Sequence, residues 1–250
     1  MSKSNRLNGM MIALVAALAT QATVAQEVAA IDPSGEAINV PAASDTSNTS
    51  DATDDSNAGK PAEPDGAESS PAATIETFHR GLLEIMKQAK TLGFQGRIDE
   101  LTPLMALTFD LDFMASKSLG RTWRTFSDEK KRLWAETFTR FTVANYAGRF
   151  TGFTGEEFVT LGVEDAARGT RIVLTKIVIP SEDDVQLNYR VIQMDGEWQV
   201  IDVYLDGTVS ELALRRSEYS SALKREGFEQ LLASIEIKIE DLKTKGLAEG

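Results

Sequence analysis

The stretch VQLNYRVIQMDGEWQVIDVYL, residues 185–205, decides the fold of this 250-residue chain. Apolar and polar side chains alternate in its first half, a period of two that predicts a β-strand with one buried face. The predicted buried face carries Val185, Leu187, Tyr189 and Val191, and the opposite, wet face carries Gln186, Asn188 and Arg190. Because Asp195 and Gly196 form a turn, residues 198–205 are predicted to return as the antiparallel neighbour.

Two further strands are predicted upstream of this hairpin, at residues 158–163 and 170–179. Turn-forming residues separate all four segments, and connections this short require neighbouring strands to be antiparallel. The pattern therefore predicts a four-stranded antiparallel sheet with one face covered by other elements.

Segments with a helical period of 3.6 residues lie on both sides of the strands. Ser70 with Pro71 begins the first helix, which Gly93 is predicted to end, and Asp110 and Ser127 are predicted to cap two later helices. The predicted helices span residues 71–92, 97–107 with a bend at Pro103, 110–119, 127–150, 209–225 and 228–243. Helices followed by an antiparallel meander and more helices define an α+β fold.

The first 72 residues are predicted to lie outside this domain. Lys3 and Arg6 precede a short apolar run with small residues at Thr23 and Ala25, the pattern of a cleaved Sec-type signal peptide over residues 1–25. Residues 26–72 hold ten acidic side chains and one lysine with few large apolar residues, which is typical of a disordered acidic linker. The domain is predicted at residues 73–246, with 247–250 as a tail.

The composition argues against most catalytic and metal chemistry. The chain has no cysteine and a single histidine, so thiolate and two-histidine metal sites are excluded, and we expect neither metal nor cofactor. His79 is predicted to be a partly exposed surface residue. Asp202 stands in mid-strand among apolar neighbours, where it either bonds an arginine or backbone amides or acts as a general base beside Tyr189 or Tyr204. The folded part is mildly acidic overall, which excludes a basic footprint for nucleic acid.

Aromatic residues are concentrated in the long helix and in the turn that leads to the sheet, and polar residues that would mark a reactive site are scarce. A sheet wrapped by amphipathic helices leaves an interior that suits an apolar ligand. The residues predicted to line this cavity are Phe113, Leu119, Trp123, Phe138, Phe141, Tyr146, Phe150, Phe158, Leu174, Leu187, Tyr189, Val191, Val200 and Val203.

The sequence WQVIDVYLDGTVS, residues 198–210, followed by RRSEY at 215–219, resembles the signature of the MlaC or toluene-tolerance family of phospholipid-binding proteins. SLGRTW at 118–123 and FTRF at 138–141 also resemble this family, and the resemblance covers about residues 74–245. FDLDF at 109–113 and DGTVSELA at 206–213 are most similar to the hopanoid-associated HpnM branch. The resemblance implies structural roles for five motif residues: Trp198, Asp202, Gly207, Ser210 and Arg216.

The resemblance also implies a cone like that of nuclear transport factors, with lipid tails in its cavity. It implies a monomeric periplasmic carrier of phospholipid or hopanoid that works with an inner-membrane lipid transporter and an outer-membrane donor or acceptor. Two alternatives remain open on the sequence. One is a cone-fold isomerase or cyclase that uses Asp202 and a tyrosine, and the other is a lipid-free adaptor that only docks onto a transporter.

Overall fold

The computed structural model describes residues 70–248 and the side chains up to Gly246. The predicted signal peptide and almost all of the predicted linker lie outside the described residues. The helices in this part of the chain are α1 Pro71–Lys87, α2 Ala89–Thr108, α3 Leu111–Ser118, α4 Asp128–Arg149, α5 Glu211–Glu226 and α6 Phe228–Ala248. The strands are β1 Glu157–Asp165, β2 Thr170–Val178, β3 Val185–Met194, β4 Glu197–Leu205 and β5 Val209–Ser210, and short 3-10 helices lie at Gly120–Thr125 and Ala167–Gly169.

Side-chain caps begin four of the helices. The Ser70 hydroxyl accepts a hydrogen bond from the backbone N–H of Ala73, and Pro71 follows at the first helical position of α1. Asp110 caps α3 by accepting from the N–H of Phe113 at 2.8 Å, and Ser127 caps α4. Ser210 caps α5 in the same way. The predicted starts at Ser70, Asp110 and Ser127 are confirmed, because each supplies an oxygen to an otherwise unpaired backbone N–H.

The predicted boundary between the first two helices is confirmed in part, because the helical backbone is broken at Gly93 but is also broken earlier, at Gln88. Helix α1 ends at Lys87, α2 begins at Ala89, and Gly93, with φ 61°, interrupts α2 near its start. The apolar pattern continues through Ala89, so periodicity alone does not reveal the earlier break. Gly93 adopts a conformation that other residues avoid and therefore separates the first turn of α2 from the rest. Pro103 lies inside α2, where the backbone angles stay helical.

The sheet contains five antiparallel strands in the order β1-β2-β3-β4-β5, rather than the predicted four. Asp206 and Gly207 both have positive φ and reverse the chain after β4, which brings Val209 and Ser210 back beside Leu205 and Tyr204. A strand of two residues has no visible alternation, and so the sequence pattern assigned Val209 and Ser210 to the following helix.

The register of the sheet defines an inner face that the helices cover. Tyr189 on β3 is paired with Val173 on β2 and with Val203 on β4, and all three side chains are buried. Extra residues at Leu161 and Ile201 form bulges in β1 and β4, which increase strand twist. Helix α1 lies against this face through Ile75, Phe78, Leu82, Ile85 and Met86.

One residue of the face of β3 that was predicted to be solvent-exposed is buried. The Asn188 side chain accepts a hydrogen bond from the backbone N–H of Thr175 and donates one to the carbonyl oxygen of Gly207. Asn188 is 3% exposed, because the loop after β4 folds over this part of the sheet. The amide is tolerated there because both of its ends are hydrogen-bonded.

Candidate functional site

A connected set of aromatic rings lies between the inner face of the sheet and helices α1 and α4. The Phe78 ring lies 4.9 Å from that of Phe109, 5.7 Å from Tyr146 and 6.2 Å from Tyr189, each in an edge-to-face arrangement. The Tyr146 ring lies 5.7 Å from that of Phe150, which directly follows the end of α4. Edge-to-face packing of this kind stabilises an interior beyond the burial of apolar area alone.

His79 is buried within this aromatic set, and its prediction as a surface residue is wrong. Its Nε2 lies 3.0 Å from the Tyr189 hydroxyl, and its ring stacks on Phe158 with centroids 4.3 Å apart. Burial lowers the pKa of His79 to about 3, so the imidazole is neutral at physiological pH. The signal was present in the sequence, because position 79 lies four residues after Ile75 and three before Leu82 on the apolar stripe of α1.

Most of the residues predicted to line the cavity lie in this interior. The buried ones are Leu119, Phe138, Phe141, Tyr146, Phe150, Leu187, Tyr189, Val191, Val200 and Val203. Phe158 is half-buried and contacts His79. The structure thus brings together the side chains of α4, β3 and β4, while the presence of a lipid-sized cavity among them stays a prediction.

Three other predicted lining residues lie elsewhere. Leu174 alternates with Val173 and Thr175, so it lies on the opposite, half-buried face of the sheet. Phe113 is half-buried, with the Lys117 Nζ 4.6 Å from its ring. Trp123 lies in a 3-10 helix rather than on a core-facing helix. An apolar character predicts burial but does not decide which face of a strand or helix a side chain occupies.

Trp123 lines an open surface cleft of about 700 Å³ along the outer side of α4. The other residues that line the cleft are Asp112, Lys131, Arg132, Ala135, Glu136, Thr139 and Arg140. All three of its cations are already paired, Lys131 with Asp128, Arg132 with Glu136 and Arg140 with Glu236. The cleft is therefore a solvated and largely neutralised groove, separate from the aromatic interior.

Asp202 joins the sheet to the start of α5. Its carboxylate accepts hydrogen bonds from the N–H of Val203 at 2.8 Å, the Ser210 hydroxyl at 2.6 Å and the N–H of Leu212 at 3.1 Å. Burial raises the pKa of Asp202, although these three hydrogen bonds act in the opposite direction. Both carboxylate oxygens are engaged with the backbone and Ser210, and the Tyr189 hydroxyl is bonded to His79 instead. The geometry matches the structural alternative for Asp202, with backbone amides rather than an arginine as partners.

The other motif residues support the same junction. Gly207 has φ 71°, a conformation that other residues rarely adopt, and it packs directly against the end of the Gln186 side chain. The Arg216 guanidinium lies against Gly120 in the same manner. The Trp198 carbonyl accepts a hydrogen bond from the Thr74 hydroxyl and so links β4 to the first turn of α1.

Helices α4 and α5 face each other along a seam that sequence reasoning missed. The Trp134 and Tyr219 rings meet edge to face at 5.0 Å, and the Arg215 guanidinium lies 4.9 Å from the centre of the Phe141 ring. Arg215 is also paired with Glu211 at 3.5 Å and with Glu218 at 3.4 Å. The spacing of four residues between Glu211, Arg215 and Tyr219 was the available signal, since it places them on one face of a helix.

A second arginine, Arg149, lies close enough to this seam to experience the charges of Glu211 and Arg215. Arg149 lies at the end of α4, three residues after Tyr146 and eight after Phe141, and therefore on the interior side of that helix. Burial lowers the pKa of Arg149, while the nearby Glu211 carboxylate raises it and Arg215 lowers it. We call Arg149, Glu211 and Arg215 the seam cluster.

Neither a metal site nor a membrane span is found in the part of the chain that the structure describes. Within residues 70–248, no three histidine, cysteine or acidic side chains are grouped closely enough to hold a metal ion. No helix in the same range is long and apolar enough to cross a membrane.

The fold and this site define a class of protein: an α+β domain in which helices cover one face of an antiparallel sheet and bury a mainly apolar, aromatic interior. The family model described as MlaC protein matches residues 76–236, well over half of the sequence. This chain belongs to the MlaC family. The family match does not separate the HpnM branch from other members, and that narrower assignment stays a prediction.

One similar solved structure is the phospholipid-binding protein from Ralstonia solanacearum in complex with a phospholipid. It is 18% identical to this chain, with a TM-score of 0.61, and the match covers 68% of this chain and 97% of that one. At this identity the likeness establishes the fold. A comparison with curated protein sequences gives no match.

Proposed function

We propose that this protein binds the acyl tails of a phospholipid between the inner face of its sheet and helix α4. The observation that carries the proposal is the character of that interior, where aromatic and aliphatic side chains surround one neutral polar pair, His79 and Tyr189. Membership of the MlaC family supports it, as does the similar protein that was solved with a phospholipid.

Tail burial supplies enough free energy for such binding. Each methylene group removed from water contributes about 0.8 kcal/mol, so two ordinary acyl chains hold a lipid without a strong contact to the head group. A neutral imidazole lets the tails approach without meeting a buried charge, since burial keeps the pKa of His79 at about 3. These properties favour a carrier that binds and releases intact lipid rather than an enzyme that alters it.

The wider role in the proposal is transport between membranes. The protein would be exported to the periplasm by cleavage of residues 1–25 and would act there as a monomer. It would exchange phospholipid, or a hopanoid, with an inner-membrane transporter and an outer-membrane partner. The pattern of residues 1–25 supports export, and the resemblance of the 206–213 motif to the HpnM branch supports a hopanoid as an alternative cargo.

Mass spectrometry of the organic extract from purified protein tests this proposal. The full chain is isolated under non-denaturing conditions and extracted, and the lipids are quantified against protein concentration. We expect about one phospholipid per protein, or one hopanoid if the narrower resemblance is correct. Protein that repeatedly contains no lipid and takes none up from vesicles would favour the lipid-free adaptor, and a chemically altered lipid would favour the isomerase or cyclase alternative.

A further inference from the structure

We infer that the seam cluster of Arg149, Glu211 and Arg215 is an anion site that holds the phosphate group of the bound lipid. This inference rests on the proposed function and adds the position and chemistry of the head-group contact. Arg215 forms an ion pair with Glu211, whereas Arg149 only experiences the charges of both groups, so the three side chains together carry one net positive charge. Glu218 also contacts Arg215, but it is itself paired with Lys238 and adds no net negative charge.

Arg149 is the unmatched member. Arg215 forms ion pairs with Glu211 and Glu218 and stacks on Phe141, whereas Arg149 has no carboxylate within 4.0 Å and no hydrogen bond among residues 70–246. It is nevertheless half-buried, and Glu211 influences it only from a distance. A guanidinium that is removed from water without a close partner is unfavourable, and a bound anion relieves that penalty.

The surroundings match a phosphate ester attached to apolar chains. Arg149 shares the interior face of α4 with Phe138 and Phe141, residues in the proposed tail-binding space. The phosphate of a lipid could therefore lie at Arg149 while the acyl tails of the same molecule lie along the aromatic interior. The planar fork of donors on arginine fits two phosphate oxygens at once, which favours an oxyanion over a neutral hydroxyl head group.

The experiment compares two lipids with the same tails, one of which lacks the phosphate. The purified, delipidated full chain is titrated with phosphatidylglycerol and with diacylglycerol that carry one fluorescent tail. We expect phosphatidylglycerol to bind about tenfold more tightly. Arg149→Gln should remove most of that difference without weakening diacylglycerol binding, and Arg149→Lys should restore part of it. Arg140→Gln is the matched control, because Arg140 is exposed on the same helix and already paired with Glu236.

Inorganic phosphate is titrated in parallel to identify the source of the anion. Binding that is much weaker than that of phosphatidylglycerol assigns the site to a lipid head group, and equally tight binding assigns it to a free phosphate. The inference is overturned if wild type binds both lipids equally, or if Arg149→Gln weakens both by the same factor. If neither lipid binds, the proposed function fails by itself. Phosphate binding that Arg149→Gln abolishes would then retain the anion site, and no phosphate binding would overturn it.

Discussion

Two buried polar regions of this protein differ in how they tolerate removal from water. The His79–Tyr189 pair is neutral, makes its own hydrogen bond and is surrounded by aromatic rings. The seam cluster is charged, and the pairs that it forms leave Arg149 without a close partner. A neutral pair with its own hydrogen bond is compatible with hydrocarbon around it. A cluster with unbalanced positive charge favours an anionic group on the ligand. This difference underlies the two proposals, which place the lipid tails near the neutral pair and the phosphate at the seam cluster.

The largest expected effect is a loss of stability when Asp202, which anchors the start of α5, is replaced. Asp202→Ala should lower the free energy of unfolding by about 3 kcal/mol, because it leaves the buried N–H groups of Val203 and Leu212 without their acceptor. Asp202→Asn should cost only about 1 kcal/mol, since its amide oxygen still accepts and burial already raises the pKa of the acid. Urea denaturation measures both variants. Equal losses would mean that the negative charge, rather than the hydrogen bonds, supports α5.

The next effect is a pH dependence in the neutral region. The pKa of His79 is about 3 in the folded protein and about 6.5 in the unfolded chain, so only the unfolded chain takes up a proton between these values. This contribution to stability is therefore present above pH 6.5 and is lost as the pH falls toward 3. Relative to His79→Gln, wild type should lose about 2 kcal/mol between pH 7 and pH 4.5. Denaturation curves of wild type and His79→Gln at both pH values check this. If the free energy of unfolding changes equally with pH in both proteins, the folded protein also protonates His79 and the prediction is wrong.

A smaller effect of opposite sign is expected at the seam. The Tyr219 hydroxyl is buried without a hydrogen-bond partner in the described part of the chain. Tyr219→Phe should therefore raise the stability of lipid-free protein by about 1 kcal/mol. Tyr189→Phe is the control and should lower it by a similar amount, because that hydroxyl is bonded to His79. A loss of stability in Tyr219→Phe would indicate that the hydroxyl has a partner such as an ordered water molecule.

The smallest change in stability is expected where the tails would lie. Leu187 is buried on the inner face of β3, and Leu187→Trp adds bulk to that space. If the space holds lipid, the variant should lose its cargo while its delipidated form changes by less than about 1 kcal/mol. In a solid core the same substitution typically costs about 1 to 3 kcal/mol. Lipid content by mass spectrometry and the denaturation midpoint together distinguish a lipid cavity from a solid core. A destabilised variant that keeps its full lipid content would show that Leu187 does not line the cavity.

Local rules predicted much of the fold because its signals are local. The caps at Ser70, Asp110 and Ser127 depend on oxygens close to the helix start, and the alternation in β3 depends on the period of the strand itself. The same rules failed where a distant segment decides the environment. Asn188 is buried only because the loop at Gly207 folds over it.

By itself, the sequence determined the α+β class, the positions of the first four strands among the helices, and the set of apolar residues available for an interior. These follow from periodicity and from short-range hydrogen bonds, which act within a few residues. Only the tertiary structure decided that His79 bonds Tyr189 across 110 positions of chain and that Arg215 of α5 lies against the Phe141 ring of α4. The physical reason is that burial and electrostatic pairing depend on the three-dimensional arrangement of distant segments, which no local pattern encodes.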